Sequence, residues 1–278
     1  MSFHPQPPAV HREPLEIAPE TFLVQSTIGE GHAPVFVNVN SLVIRGSEPI
    51  IIDTGGRDNR ANWLDDVFNI VEPEDVRWIT VSHDDVDHVG NLEVVLELCP
   101  NATLVSSWFI NERMSVEIAP PPTRMRWLVD GDTLDIGDRV LQLVRPPIFD
   151  SPVTRGVFDP STGVYWASDA FATPMPIYVD NVRDLEHDFW AYGFAMFAQA
   201  VSPWIDMVER AKFAGQVERI ANLHPSLIAG CHSPTIEIDR VDAALDLMRN
   251  LLDVPHIPLP DQAVLEQIIA SMTAEVVA

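Results

Sequence analysis

The stretch HDDVDHVGN, residues 83–91, decides the fold and the chemistry expected of this chain. It follows the apolar run WITV, residues 78–81, which predicts a buried strand. Three aspartates stand between two histidines. Carboxylates this close repel one another unless something positive lies among them. The stretch therefore requires solvent counter-ions, a salt-bridge partner or a metal ion.

The spacing within this stretch suits a metal site built from His83, Asp85, Asp87 and His88. A loop after a buried strand is where a rigid sheet presents side chains into a cleft. Imidazole together with several carboxylates is a ligand set for a first-row metal with octahedral leanings. Residues 83 and 85 can converge on one metal, while 87 and 88 turn towards a second. A calcium loop counted from Asp85 would need glutamate at its twelfth position, which is Leu96. A solvated acidic loop is the other alternative.

The whole chain limits the classes of protein to consider. Its 278 residues are 46% hydrophobic, which is enough for a substantial core. The formal net charge of -24 disfavours nucleic acid and anionic membranes, because cationic patches supply that binding. It fits small-molecule chemistry or a basic protein partner. No apolar run approaches the ~20 residues of a membrane-spanning helix, and the first residues lack the pattern of a signal peptide.

The two cysteines, Cys99 and Cys231, lie in unrelated sequence contexts. They predict neither a disulfide framework nor a cysteine-based metal site, so a reducing cytoplasm is the expected location. Cys231 precedes His232, and a small buried residue is the ordinary interpretation of such a cysteine.

Apolar patterning predicts two strand-rich halves with helices outside them. This arrangement suggests an α+β fold, a four-layer αββα sandwich, over residues 21–252. Periodicity alone does not separate it from a parallel α/β repeat, and the motifs described next decide between the two. Residues 1–20 are proline-rich and predict an extended N-terminal arm. Residues 253–278 predict a C-terminal helical extension. Its apolar stripe would support self-association, as in a homodimer, or pack on its own domain; the stripe is Val264, Leu265, Ile268, Ile269 and Met272.

The motif His83-x-Asp85-x-Asp87-His88 resembles the H-x-H-x-D-H pattern of the metallo-β-lactamase superfamily, which typically binds zinc. It is closer to the H-x-E-x-D-H pattern of the diiron domain of flavodiiron proteins and the related oxygen-binding diiron proteins. Asp85 is a carboxylate, as in that branch, although one methylene shorter. The likeness runs over roughly residues 20–240; it includes IIDT at 51–54, PNA at 100–102 and DGDTLDIG at 130–137. It implies the αββα fold.

The resemblance also implies ligands beyond the motif. Family diiron sites take a histidine within a P-x-x-H-x-P context, and Asp150 stands at that position here, in PIFDSP. A bridging aspartate should follow a later strand, where Asp169 stands. A final histidine should end another strand, where His232 stands. Asp150 is the one position that departs from the family's residue types.

These positions imply a dinuclear centre. One metal would take His83, Asp85 and Asp150, the other Asp87, His88 and His232, and Asp169 would bridge. Two divalent ions balance the charge of four carboxylates. Hard anionic ligands favour iron or manganese over zinc. Asp53, in the DTG triplet, would orient a metal ligand from behind, with strand-end capping as an equal alternative.

Three classes of function follow. The first is a diiron oxidoreductase that binds or reduces dioxygen or nitric oxide, or oxidises a small substrate. The second is a hydrolase of an ester, lactone or thioester, using metal-activated water. The third is a degenerate site that serves only as a binding module. A carboxylate at Asp85 is unusual for zinc hydrolases of this fold and favours the redox class. Flavodiiron proteins carry a flavodoxin domain after the metal domain, which this chain is too short to hold, so we expect a separate electron-donor protein.

Overall fold

The computed structural model describes residues 9–275, apart from the side chains of 268 and 271–275. Its first sheet has seven strands in the spatial order of the chain. The first four strands pair antiparallel, and the fourth to seventh pair parallel. They are β1 (Val10–Ala18), β2 (Thr21–Ile28), β3 (Val37–Ile44), β4 (Ile50–Ile52), β5 (Trp78–Thr80), β6 (Thr103–Ser106) and β7 (Met125–Trp127).

The second sheet has six strands, in the spatial order β13-β12-β11-β10-β9-β8. A tight turn joins β10 to β11, as the sequence DPSTG at 159–163 predicts. Only β11 and β12 pair parallel in this sheet, as described over residues 9–275. The strands are β8 (Thr133–Asp135), β9 (Val140–Val144), β10 (Gly156–Asp159), β11 (Val164–Trp166), β12 (Leu227–Ala229) and β13 (Ile236–Glu237).

Helices cover the outer face of each sheet. The first group is α1 (Arg60–Ile70), α2 (Val86–Val89), α3 (Leu92–Leu98) and α4 (Trp108–Met114). The second group is α5 (His187–Val201), α6 (Arg210–Ala221) and α7 (Ile238–Asn250), followed by α8 (Gln262–Glu275). The helix α5 ends at Val201, and a 3-10 helix over Pro203–Met207 separates it from α6.

Strand alternation creates three apolar layers. Ile50 and Ile52 pack between the two sheets, whereas Ile51 packs beneath α1 and α3. Successive strand residues point to opposite faces, so a continuous apolar run is buried on both sides. A third cluster lies between the second sheet and α5 to α7, with Trp190 and Phe194 at its centre. The predicted four-layer αββα sandwich is confirmed.

The N-terminal prediction needs a correction. Residues 1–20 were expected as an extended arm, but Val10–Ala18 forms β1, the edge strand of the first sheet. Pro14 lies where the pairing with β2 shifts register, between Arg12 and Leu15. Proline is tolerated on an edge strand, where its missing N–H removes no ladder bond. Leu15 packs against the apolar layer between the two sheets. The burial of this side chain stabilises β1 although the proline-rich sequence has a low strand propensity. Residues 1–8 of the expected arm lie outside the described residues.

The C-terminal extension contains the predicted helix, α8. Val264 and Leu265 on its apolar stripe are 36% and 49% exposed. Ile269, also on the stripe, is 51% exposed, and the side chains of Ile268 and Met272 lie outside those described. No helix over residues 9–275 has both the length and the apolar character that a membrane crossing requires.

Candidate metal centre

The candidate ligands lie at one end of the two sheets, where strands end and loops begin. Asp53 follows β4 and His83 lies just beyond β5, and these two strands are parallel neighbours. Asp169 and His232 follow β11 and β12, which are also parallel neighbours. The carboxyl ends of parallel strands meet at one edge of a sheet, so these loops converge. Asp150 lies between β9 and β10.

Asp53 is fully buried and adopts a left-handed backbone conformation, with φ 61°. Its Oδ2 accepts hydrogen bonds from Ser82 Oγ at 2.8 Å and from Trp166 Nε1 at 3.0 Å. The same oxygen lies 3.1 Å from His88 Nδ1. Left-handed conformations of non-glycine residues persist where surrounding contacts over-determine them. Because Asp53 Oδ2 contacts Nδ1 of the His88 ring, Nε2 of that ring faces away from Asp53. This is the position expected of a residue that orients a metal ligand. Asp53 Oδ1 also accepts from the backbone N–H of Ser82, so the strand-end role is present as well.

His83, Asp85 and Asp150 form the first set of candidate ligands. His83 Nε2 lies 3.7 Å from Asp85 Oδ2 and 3.5 Å from Asp150 Oδ2. It is also 3.7 Å from Asp169 Oδ2. His83 Nδ1 contacts Ser168 Oγ at 3.1 Å, on the side away from the carboxylates. The ring therefore presents Nε2 to three carboxylates at once.

Asp87, His88 and His232 form the second set. His88 Nε2 lies 3.0 Å from Asp169 Oδ1 and 3.9 Å from Asp87 Oδ1. His232 Nε2 lies 3.2 Å from Asp87 Oδ2 and 3.5 Å from Asp169 Oδ2. His232 Nδ1 donates to the carbonyl oxygen of Asn38 at 2.7 Å. A ring that donates from Nδ1 keeps a free lone pair on Nε2, the form that binds metal. Asp169 contacts both sets.

Three buried atoms of this cluster make no well-aligned hydrogen bond among the described residues, although two of them, His88 Nε2 and Asp169 Oδ1, lie 3.0 Å apart. They are Nε2 of His83, Nε2 of His88 and Oδ1 of Asp169. Buried polar atoms are almost always paired, and an unmade bond costs free energy. His83 Nε2 and His88 Nε2 both lie within 3.7 Å of a carboxylate oxygen of Asp169, where the two sets meet. A pair of cations bound there would satisfy them, so these residues fit a dinuclear metal site.

The ionisation of the cluster depends on its internal charges. Burial by itself raises the pKa of Asp169, but His232 and His88 outweigh it and hold that pKa well below its usual range. Burial by itself lowers the pKa of His88. The nearby Cys231, Asp169 and Asp53 outweigh burial, and the net result is a pKa well above the usual value. Without a cation the cluster is thus held together by ion pairs, which a metal would replace.

Asp150 differs from the other carboxylates of the site. Burial, together with the nearby carboxylates of Asp169 and Asp85, raises its pKa despite the attraction of His83. Thr154 Oγ1 donates to Asp150 Oδ1 at 3.3 Å. A carboxylate that is costly to ionise among like charges gains most from a bound cation.

The aspartates of the opening stretch have different partners. Asp84 pairs with Arg113 and accepts from Ser151 Oγ at 3.0 Å, so it has a salt bridge and points away from the cluster. Asp85 and Asp87 face the histidines. The three aspartates of the opening stretch are therefore compensated in two different ways. Asp84 has Arg113 as its salt-bridge partner, whereas Asp85 and Asp87 belong to the candidate metal site.

Sequence reasoning missed the residues that support the ligands, namely Asn38, Ser82, Trp166 and Ser168. Ser82 adjoins the motif and could have been suspected. Asn38 acts through its backbone carbonyl, for which a sequence carries no signal. Cys231 was expected to be a small buried residue, and it is fully buried. Its Sγ nevertheless lies in one group with ligand atoms of Asp87, His88 and His232, all within 4.8 Å of one another.

Known proteins share this architecture. The rubredoxin oxygen:oxidoreductase from Desulfovibrio gigas aligns over 87% of this chain and 62% of its own, with a TM-score of 0.72 and 14% identity. Diflavin flavoprotein A 1 from Synechocystis sp. is 25% identical over 195 residues, which are 68% of this chain and 34% of that protein. The anaerobic nitric oxide reductase flavorubredoxin from Salmonella typhi is 24% identical over 194 residues, 66% of this chain and 40% of that protein.

This chain thus spans about a third to two fifths of the length of these two curated relatives. A family model described as ODP family beta lactamase matches residues 37–232, from the start of β3 to the last candidate ligand, His232. That range covers well over half of the chain and contains all seven candidate ligands. The chain therefore belongs to the ODP family of beta-lactamase-fold proteins, in the metallo-β-lactamase superfamily and close to the diiron domain of flavodiiron proteins.

Proposed function

We propose that the chain is a diiron oxidoreductase that binds or reduces dioxygen or nitric oxide, or oxidises a small organic substrate. The observation that carries the proposal is the pair of histidine–carboxylate sets joined by Asp169, in which the buried Nε2 atoms of His83 and His88 face carboxylates but make no well-aligned hydrogen bond among the described residues. His83, Asp85 and Asp150 would hold one ion, and Asp87, His88 and His232 the other.

The donor set favours iron, with manganese or zinc as alternatives. Four carboxylates and three histidines balance two divalent ions with little net charge, and carboxylate-rich sets suit iron and manganese better than zinc. A bound iron pair would supply electrons in single steps to a small oxidant. A hydrolase remains the alternative class, in which zinc would activate water, but the carboxylate at Asp85 favours the redox class.

The protein's own residues would orient and shield the site. Asp53 holds the ring of His88, and the Asn38 carbonyl holds the ring of His232. Asp85 has a side chain 55% exposed, whereas that of Asp169 is 5% exposed. A small substrate would therefore approach from the Asp85 side, and the Asp169 side would stay dry.

Two similar proteins support the choice of substrate. One is named as an oxygen:oxidoreductase and the other as a nitric oxide reductase. Electrons would come from a separate donor protein or from a domain outside these 278 residues. The cytoplasmic location also remains a proposal; it rests on Cys99 and Cys231, which are both free and buried.

Metal analysis tests the proposal directly. Protein purified from an iron-supplemented host should contain about two iron ions per chain, as two ligand sets require. It should show a near-ultraviolet charge-transfer band that bleaches on reduction, and it should consume dioxygen or nitric oxide with a chemical reductant. Well under one metal per chain after reconstitution would exclude a metalloenzyme. Tight zinc that confers ester hydrolysis, without any response to iron, would establish the hydrolase instead.

We also propose that α8 supports a homodimer. Val264 and Leu265 expose apolar area that a second copy could bury. Deletion of residues 258–278 should then change the mass in solution from dimer to monomer, as measured by light scattering. Val264→Ala with Leu265→Ala should weaken the dimer in the same direction, while Gln262→Ala, on an exposed position of the same helix, should leave it intact. An unchanged mass after the deletion would contradict the idea.

A further inference from the structure

A cavity of about 250 Å³ lies beside the candidate metal centre, and none of the seven candidate ligands lines it. It lies between the start of α4 and the segment that leads from Asp150 into β10. Its apolar wall includes Trp108, Phe109 and Val153, and its polar wall includes Arg145 and Arg155. The proposed metal chemistry uses none of these five residues.

Arg155 is a buried cation without an acidic partner. Its residue is 5% exposed, and its Nη1 donates to the carbonyl oxygen of Leu128 at 3.2 Å. No carboxylate among the described side chains lies within 4.0 Å of its guanidinium. Burial, with repulsion from Arg145, lowers the pKa of Arg155 to about 10, so it is still protonated at neutral pH. A buried charge is normally paired, because desolvation without a partner is costly.

Arg145 brings a second positive charge to the same cavity. Its side chain donates to two carbonyl oxygens, those of Thr154 at 3.3 Å and Pro152 at 3.5 Å. Asp130 also lines the cavity, but Arg219 donates two hydrogen bonds to it, at 2.6 and 2.9 Å. The cavity therefore holds a positive excess, in a chain whose formal net charge is -24.

Two exposed aromatic side chains line the cavity. Trp108 and Phe109 are 57% and 43% exposed, and their rings stack with centroids 5.9 Å apart. Exposed aromatic rings beside a cationic wall are typical of sites that bind a ligand with an apolar body and an anionic end.

We propose that this cavity binds a small organic carboxylate, with its carboxylate on Arg155 and Arg145 and its apolar body against Trp108, Phe109 and Val153. A guanidinium offers parallel N–H groups that match a carboxylate. A cavity of roughly 150 Å³ admits benzene, so the observed volume leaves room for a one-ring carboxylate. The site lies outside the proposed metal chemistry and does not depend on it.

Benzoate is the probe that tests the proposal, with benzamide as its neutral counterpart of the same shape. Calorimetric titration of the full chain should show saturable benzoate binding with a dissociation constant below ~10 mM, the range of a weak but specific site. Benzamide should show no saturation. Tryptophan fluorescence should change in parallel, because the ring contacts Trp108. Absence of saturable benzoate binding would overturn the proposal, as would equal binding of benzamide.

Variants locate the site. Arg155→Met should weaken benzoate binding at least roughly tenfold, because a charge-assisted hydrogen bond is lost. Arg126→Met is the matched control, since Arg126 is an exposed arginine of neighbouring β7 and does not line the cavity. Equal weakening by both variants would overturn the assignment. If Arg155→Met fails to fold, Trp108→Ala at an exposed position serves instead, and unchanged benzoate affinity in it would count against the site. Inorganic phosphate that binds more tightly than benzoate, with the same dependence on Arg155, would overturn the carboxylate class.

Discussion

Asp169→Asn should leave the chain folded and reduce its bound metal from about two ions to well below one per chain. The Asp169 carboxylate contacts His83 and His88 in separate candidate sets. It also contacts His232. An amide has the same shape but carries no charge and offers one oxygen, so neither ion would keep its shared anionic ligand. The loss of affinity should exceed the roughly 10–100-fold that removal of an outer-shell partner costs.

Asp159→Asn is the control for this prediction. Asp159 is buried, like Asp169, but lies at the β10–β11 turn, where it pairs with Arg139 at 3.0 Å. Both variants remove one buried carboxylate, at the end of β10 for Asp159 and in the loop after β11 for Asp169. Asp159→Asn should lower the urea midpoint and keep two metals, whereas Asp169→Asn should lose metal with little change in circular dichroism. Elemental analysis of both proteins measures the number of bound ions. Two ions per chain in Asp169→Asn would exclude a bridging role for Asp169.

Asp150 should set the reduction potential of the proposed diiron pair. It stands where the family has histidine, and it lies 3.5 Å from His83 Nε2. An anionic ligand stabilises ferric over ferrous iron, so replacing it by a neutral one favours the reduced form. Asp150→His should therefore keep two ions and raise the potential by at least ~60 mV, the equivalent of a tenfold change for one electron. Asp150→Ala should lose the ion held with His83 and Asp85 more readily than the other.

Spectroelectrochemical titration of the charge-transfer band measures this potential, and elemental analysis measures the two affinities. Asp84→Asn is the matched control, since it removes one negative charge from the same region but from a residue paired with Arg113. Its potential should stay closer to that of the unaltered chain, because Asp84 contacts Arg113 and none of the candidate histidines, whereas Asp150 lies 3.5 Å from His83 Nε2. Equal metal content and equal potential in the unaltered chain and both Asp150 variants would show that Asp150 does not touch the metals.

Much of the candidate site could be predicted because its residues follow a local pattern. The HDDVDHVGN stretch supplies four candidate ligands within six residues, 83–88. Asp169 and His232 follow strands whose apolar runs are clear in the sequence. The structure brings all seven candidate ligands together, and their roles as ligands remain a prediction. Asp150, Asp169 and His232 were found only through the family resemblance, because a single aspartate or histidine in a loop has no local signal of metal binding.

The N-terminal strand and the support of the ligands could not be predicted in the same way. Pro14 lowers the strand propensity of residues 10–18. Antiparallel pairing with β2, which the local sequence does not reveal, stabilises the strand instead. The Asn38 carbonyl that holds His232, and the Ser168 hydroxyl beside His83, come from distant parts of the chain. Any residue has a backbone carbonyl, so no sequence pattern marks the one that is used.

The sequence by itself determined the four candidate ligands of the 83–88 motif and the acidic balance of the chain, because motif spacing and composition are local properties. The αββα layering and the other three candidate ligands were predicted through the family that the motifs resemble. Only the tertiary structure decided which aspartate of the opening stretch pairs with Arg113, and that Asp53 lies behind His88. It alone decided that Arg145 and Arg155 share one cavity without a carboxylate to balance both charges. Such pairings depend on distances between side chains far apart in the chain, and packing of the two sheets sets those distances.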